Sequence, residues 1–268
     1  MCDACVMGTV AARLGRRGIV AALAAAAALP GPAQAAAPRT SWFSRVVDLT
    51  HTLRPDFPTY FGTPAMTVEP VAAMARDGFN MNRLSYAEHV GTHFDAPLHF
   101  SANGASVDMI PVAQLVCPLV VVDVRARAAA EADYQLRPED ILAHERAQGR
   151  IPAGACVALR SGWDAHVATP RFRNVDAAGK MRYPGFRPDV APLLLARGVV
   201  GVAVDTLSLD HGGSADFAFH TAWLGAGRWG LECAAGLGEV PAKGATIVAG
   251  APKVAGGTGG PGRVLALV

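Results

Sequence analysis

Short apolar runs rich in valine recur along the chain: Arg45–Leu53 (RVVDLTHTL), Cys117–Val124 (CPLVVVDV), Ala155–Trp163 (ACVALRSGW), Gly198–Thr206 (GVVGVAVDT), Ala245–Pro252 (ATIVAGAP) and Arg263–Val268 (RVLALV). Runs this short, with little polar alternation, predict strands buried on both faces. Two stretches carry helix punctuation instead. Arg137–Gly149 (RPEDILAHERAQG) opens with a proline and acids and closes on a glycine, and Phe186–Gly198 (FRPDVAPLLLARG) also stops at a glycine. Buried strands interleaved with a few helices predict a mixed α/β domain. No internal repeat or long linker divides residues 38–268, so they read as one domain. The glycine-rich Gly256–Gly262 (GGTGGPG) lacks the lysine and the strand-to-helix context of a phosphate-binding loop, and reads as a turn.

The first 37 residues have a different pattern. Arg13, Arg16 and Arg17 precede an apolar run from Ile19 to Leu29, too short for the roughly 20 residues that span a bilayer. Ala33 and Ala35 then supply an A-x-A cleavage pattern, so residues 1–37 are expected to be an export signal peptide that is removed. Arg16-Arg17 before the apolar run also resembles a twin-arginine signal, with a general secretory signal as the alternative. A periplasmic location is the corresponding expectation, without membrane association once the signal has gone.

Composition changes once that segment is set aside. Three arginines and one aspartate leave with it, so Lys+Arg falls from 24 to 21, Asp+Glu from 22 to 21, and the net charge from +2 to 0. A neutral chain without a basic block gives no support to nucleic-acid binding, and small molecules are the expected partners. Removal of Cys2 and Cys5 leaves Cys117, Cys156 and Cys233, which implies no disulfide framework.

The densest candidate chemistry lies in Glu88–Phe100 (EHVGTHFDAPLHF). Gly91 and Pro97 argue against a helix through it. In an extended backbone alternate side chains share a face, so His93, Asp95 and His99 could converge while His89 arrives across the bend at Gly91. Imidazole and carboxylate together are the ligands of borderline and hard divalent ions: zinc is the leading expectation, manganese the second. Polar loop residues hydrogen-bonded to backbone are the plainer alternative. The aromatic residues of Phe57–Gly62 (FPTYFG) could line an apolar pocket or simply pack in the core.

The spacing H-x-G-T-H-x-D-x-P-x-H, present from His89 to His99, resembles the signature of the cyclase family of metal-dependent hydrolases, which includes kynurenine formamidase and isatin hydrolase. The runs VVDLTHTL, ALRSGW and VAVDTLSLD resemble other family segments. The resemblance implies a mixed α/β, barrel-like architecture of the swivelling β/β/α type, assembled as a homodimer or homotetramer. It also implies a site completed by His220 and Glu232, twelve residues apart in FHTAWLGAGRWGLE. His89, His93 and Asp95 would hold one ion, His220 a second, and Glu232 with Asp95 would serve both, giving one or two ions per chain. His99 would be the catalytic acid/base, since imidazole can take a proton from water and return it to a leaving nitrogen.

The implied activity is metal-dependent hydrolysis of a C–N bond in a small amide, led by arylformamidase-like cleavage of a linear amide. Ring-opening of an isatin-like cyclic amide is the alternative, and a non-catalytic metal-dependent binding protein is the reading from another class. His211 stands where formamidases commonly carry proline, and His51, His144 and His166 are expected to be structural or solvated. Cys117 and Cys156, in apolar runs, are expected to pack as small hydrophobes.

Overall fold

In the computed structural model, which describes residues 43–268, the valine-rich runs become the spine of one curled sheet. The export segment predicted for residues 1–37 lies outside the described residues. The strands are β1 (Val46–Asp48), β2 (Met66–Ala72), β3 (Met81–Tyr86), β4 (His93–Asp95), β5 (Val116–Asp123), β6 (Gln135–Leu136), β7 (Cys156–Arg160), β8 (Gly185–Phe186), β9 (Gly201–Val204), β10 (Trp229–Glu232), β11 (Ala245–Val248), β12 (Gly259–Pro261) and β13 (Leu265–Leu267). The helices are α1 (Met74–Asp77), α2 (Arg125–Ala130), α3 (Pro138–Gln148), α4 (Val190–Ala196) and α5 (Ala218–Gly225). Both helices expected from the sequence form. Gly149 at φ 82° follows α3, and Gly198 at φ 71° stops the chain after α4, in backbone that side chains with a Cβ rarely adopt.

Nine strands are ordered β1-β13-β11-β5-β7-β9-β10-β4-β12, parallel from β5 through β7 and β9 to β10 and antiparallel on both flanks. The connection between β12 and β13 requires the curl. Laid flat, strands seven places apart would be separated by about 34 Å at roughly 4.8 Å per step. Residues 262–264 are all that join them, a span of at most about 14 Å. The sheet therefore bends into a half-barrel that brings its two ends together.

The parallel strands are covered on both faces, as their unbroken apolar runs require. Val120, Val122, Val157, Leu159, Val202 and Val204 face Ile141 of α3, Leu194 of α4 and Trp223 of α5. Leu119, Val121, Cys156, Ala158, Ala203 and Leu231 face the inside of the curl with Phe94 and Ile247. Each buried Val, Leu, Ile or Phe among them contributes roughly 1.5–3 kcal/mol by leaving water. Cys117 and Cys156 sit in this second core as free, buried thiols.

The glycine-rich segment is not simply a turn. Gly259–Pro261 forms β12 against β4, with Gly259 opposite Asp95. A Cβ at Gly259 would stand 2.1 Å from the Phe94 carbonyl oxygen and 2.8 Å from the His89 ring. The glycine is there because two backbones and an imidazole meet at van der Waals limits, a contact that sequence punctuation does not reveal.

Candidate metal centre

Strand register builds the centre. β10 runs antiparallel to β4, with Glu232 directly opposite His93 and Gly230 opposite Asp95, so residues 139 positions apart share one face. Phe94, between the two candidate ligands, points into the opposite core. Gly91 adopts φ 68° and makes the bend that brings His89 alongside. Pro97 opens a 3-10 turn over Pro97–His99 that returns His99 to the same point. His220 comes from α5, a helix with no clear signal in the sequence.

The six predicted side chains converge. His89 Nδ1 is 2.7 Å from Asp95 Oδ1, and His93 Nε2 lies 3.5 Å from that oxygen and 3.4 Å from Glu232 Oε2. His220 Nε2 is 3.0 Å from Glu232 Oε1 and 3.4 Å from Asp95 Oδ2. The His99 ring stacks on His89, with centroids 3.8 Å apart. Ligand atoms of His93, Asp95 and Glu232 lie within 4.8 Å of one another, and so do those of His89, Asp95 and His99. Asp95 belongs to both clusters.

This donor set fits a divalent cation. Donors about 2.0–2.2 Å from one tetrahedral ion stand about 3.3–3.6 Å apart, close to the separations around His93. His93 Nε2 and Asp95 Oδ2 are buried and have no hydrogen-bond partner, a costly arrangement for polar atoms with nothing to bind.

The remaining ring nitrogens are tied down by protein groups, which settles which nitrogen faces the centre. His93 Nδ1–H donates to the Gly91 carbonyl at 2.9 Å. His89 Nε2–H donates to Thr258 Oγ1 at 3.0 Å, and the Thr258 hydroxyl and amide both donate to Glu88. His220 Nδ1–H donates to Asp210 Oδ2 at 2.6 Å, while the Asp210 carboxylate also accepts the Phe219 and His220 amides and so caps α5. Outer partners of this kind orient ligating imidazoles and raise their basicity. Glu232 is held by the Leu209 amide at 2.9 Å.

Charge distribution follows from burial. Burial opposes ionisation of Asp95, yet the imidazoles of His220, His89 and His93 outweigh it and hold the carboxyl well below the usual range. For Glu232 burial dominates and the nearby Asp95 charge adds to it, so its pKa is raised. Burial works against a charged His93, but Asp95 and Glu232 reverse the balance and push it up to about 9. Two buried carboxylates thus draw positive charge to this point. His99 behaves differently: burial leads, the neighbouring imidazoles add to it, and the ring is pushed down to about 4, neutral and able to accept a proton.

A cavity of about 460 Å³ opens over the centre. Tyr60, Phe61, Phe100 and Phe217 line it together with the ligand imidazoles. Phe100 lies 4.7 Å from the His220 ring and 5.7 Å from Phe217, which is itself 5.7 Å from Tyr60. Phe217 holds this place at φ 49°, a strained backbone for a bulky residue. In the FPTYFG segment both readings hold, because Tyr60 and Phe61 line the cavity while Phe57 packs against Trp163 and Phe172 in a separate core cluster.

Asp210, Thr258 and Glu88, which brace the candidate ligands His220 and His89, carry no signal of that placement in the sequence. Asp210 adjoins His211 in SLDHGG, and the two side chains serve different partners. His211 instead bonds Asp133 at 2.9 Å and does not line the cavity, while His51 packs near Phe57 and Phe172. Asp210→Asn should keep the fold and cap yet weaken the hold on His220, lowering metal affinity about 10- to 100-fold, as loss of an outer partner usually does. Competition with a chromogenic chelator measures this; unchanged affinity would reduce Asp210 to a helix cap.

Residues 47–211 match the family model described as "Putative cyclase". The chain is 33% identical over 241 residues to isatin hydrolase of Roseibium aggregatum, covering 83% of this chain and 91% of that protein. It is 30% identical to kynurenine formamidase of Salinibacter ruber, over 69% of this chain and 79% of that one. Among solved structures, isatin hydrolase A from Labrenzia aggregata bound to benzyl benzoate matches with a TM-score of 0.78 and 37% identity, over 84% of this chain and 93% of the other. Isatin hydrolase A from Ralstonia solanacearum matches with the same score at 38% identity, over 84% and 92%.

Proposed function

The chain belongs to the cyclase family of metal-dependent hydrolases, related to isatin hydrolase and kynurenine formamidase, and from that premise we propose that it hydrolyses the C–N bond of a small aromatic amide in the aromatic-walled cavity. The observation that carries this reading is the placement of a neutral His99 against a cluster of buried carboxylates and imidazoles at the cavity floor. His89, His93, Asp95, His220 and Glu232 would hold one or two divalent ions, zinc first and manganese second. When bound, such an ion acts as a Lewis acid that lowers the pKa of water toward about 7 and polarises a carbonyl.

The protein's own groups do the rest. His99 accepts the proton of the attacking water and returns it to the departing nitrogen, because an amide anion is too basic to leave unaided. Asp210, Thr258 with Glu88, and the Gly91 carbonyl keep the three other imidazoles turned toward the centre. Tyr60, Phe100 and Phe217 offer ring faces and edges to an aromatic substrate.

A linear N-acyl aromatic amine comes first, and the cavity of about 460 Å³ lies within the range used by small-molecule ligands. Ring-opening of a cyclic amide is the second reading, favoured by the similarity to the isatin hydrolases. Elemental analysis followed by a screen of N-formyl aromatic amines and cyclic amides tests both. Metal-dependent turnover is expected, and the faster class identifies the substrate. Metal binding without any turnover would leave a binding protein.

The reading includes export to the periplasm. The mature chain is expected to begin near Ala36 or Pro38, which N-terminal sequencing checks. Lysine in place of both Arg16 and Arg17 should stop export by the twin-arginine route; continued export of that variant would reject the route while leaving the signal peptide in place.

A further inference from the structure

Residues 211–217 connect Asp210, which braces His220, to α5, the helix that carries His220. The segment ends on Phe217, whose ring is 5.8 Å from His220, 5.7 Å from Tyr60 and 5.7 Å from Phe100. Its φ of 49° is costly for a bulky side chain, and such a conformation persists only where the surroundings over-determine it. On the helix side α5 does so, since the Thr221 amide donates to the Phe217 carbonyl at 2.9 Å.

On the other side the restraint comes from outside the segment. Asp133, in the turn between α2 and β6, accepts His211 Nδ1–H at 2.9 Å and the Gly213 amide at 3.0 Å. Arg182 donates to the same carboxylate at 3.1 Å and is itself held by Asp176 at 2.9 Å. Burial opposes the charge of Asp133, but the bonds from His211 and Gly213 outweigh it and hold the carboxyl below its usual range. Glycine at 213 permits this approach, since a Cβ there would stand 2.4 Å from Asp133 Oδ2. From this anchor the bonds run forward to the aromatic wall: the Ser214 amide donates to the His211 carbonyl at 3.0 Å, and Ser214 Oγ accepts the Phe217 amide at 3.2 Å.

We propose that Asp133 and His211 are positioning residues for substrate binding: they anchor the segment that holds Phe217 in its strained conformation, and Phe217 sets where an aromatic ring lies beside the candidate metal centre. The inference rests on the reading of the cavity as an aromatic-amide site. Neither Asp133 nor His211 lines the cavity, so both act through Phe217. The two ends of the segment have separate duties. Asp210 keeps its place without His211, because the Leu209 carbonyl accepts the Phe186 amide at 2.7 Å and the Asp210 carboxylate caps α5. Loosening the anchor should therefore disturb the wall and spare the candidate ligands.

The test uses the full chain supplied with zinc and two neutral aromatic probes: formanilide, read by turnover, and phenylurea, which resists hydrolysis and is read by calorimetry. Asp133→Ala cuts both ties. It should raise KM for formanilide and Kd for phenylurea about 10-fold, the effect of losing one well-placed aromatic contact, with kcat within about twofold and metal content unchanged. His211→Leu is the milder change should Asp133→Ala not fold, and it should act in the same direction. His211→Asn, whose side-chain amide can donate where Nδ1–H did, should restore most of that loss. Phe217→Ala should give the same signature, and adding Asp133→Ala to it should cost no more, because residues that act through one another are not additive. Full additivity, a fall in kcat or metal content with KM unchanged, failure of the asparagine to restore binding, or native protein that does not bind phenylurea would overturn the proposal. Absence of amide turnover beside the expected phenylurea pattern would reject the hydrolase reading and leave the positioning role standing.

Discussion

Asp95→Ala is expected to lose bound metal and turnover together. The carboxylate belongs to both ligand clusters and stands 2.7 Å from His89, 3.5 Å from His93 and 3.4 Å from His220. Removing it leaves the three imidazoles with Glu232 as the one remaining carboxylate of the candidate set. Loss of an outer partner costs about 10- to 100-fold in affinity, so loss of the shared ligand itself should cost at least about 100-fold. Elemental analysis after dialysis, beside turnover at saturating metal, measures both effects. Asp95→Asn keeps the side-chain volume and separates the loss of charge from the creation of a cavity. A variant with full metal content and unchanged turnover would remove Asp95 from the ligand set. Glu232→Gln should behave similarly, with a smaller effect if His93 and His220 still hold the ion.

His99→Ala should do the reverse, keeping most of the metal while the rate falls about 100- to 10,000-fold, the usual contribution of a positioned proton-transfer group. The ring is pushed down to about 4, chiefly by burial, so it is unprotonated near neutral pH and its lone pair is free. Substrates with better leaving groups should suffer less, because they depend less on protonation of the departing nitrogen. The geometry makes this experiment necessary: a His99 ring nitrogen lies among the ligand atoms of His89 and Asp95, within reach of either role. Metal lost along with activity would make His99 a ligand. The proton would then have to be carried by a group other than His211, which is committed to Asp133.

Much of the candidate centre could be read along the chain because four of its six side chains are local. His89, His93, Asp95 and His99 fall within eleven residues, and the period of an extended strand with a glycine bend and a proline turn is enough to aim them at one point. The valine runs were legible for a similar reason, since a strand buried on both faces needs unbroken apolar sequence. The ribbon of β2 and β3 and the helix α5 were not. The ribbon is mostly exposed among the described residues, so it lacks the apolar runs of the buried strands, and α5 is capped by Asp210, whose carboxylate arrives from a loop eight residues before the helix begins.

The mixed α/β class, the two main helices and the candidate donor groups were legible along the chain, because propensity, hydrophobic period and donor type are properties of residues and near neighbours. Tertiary packing is what sets Glu232 opposite His93, brings Thr258 of a glycine-rich segment against His89 Nε2, and places Asp210 rather than His211 against His220. Those pairings depend on strand register and on the curl imposed by the short connection between β12 and β13. Register is set by the packing of the whole sheet at once, so no local stretch of sequence contains it.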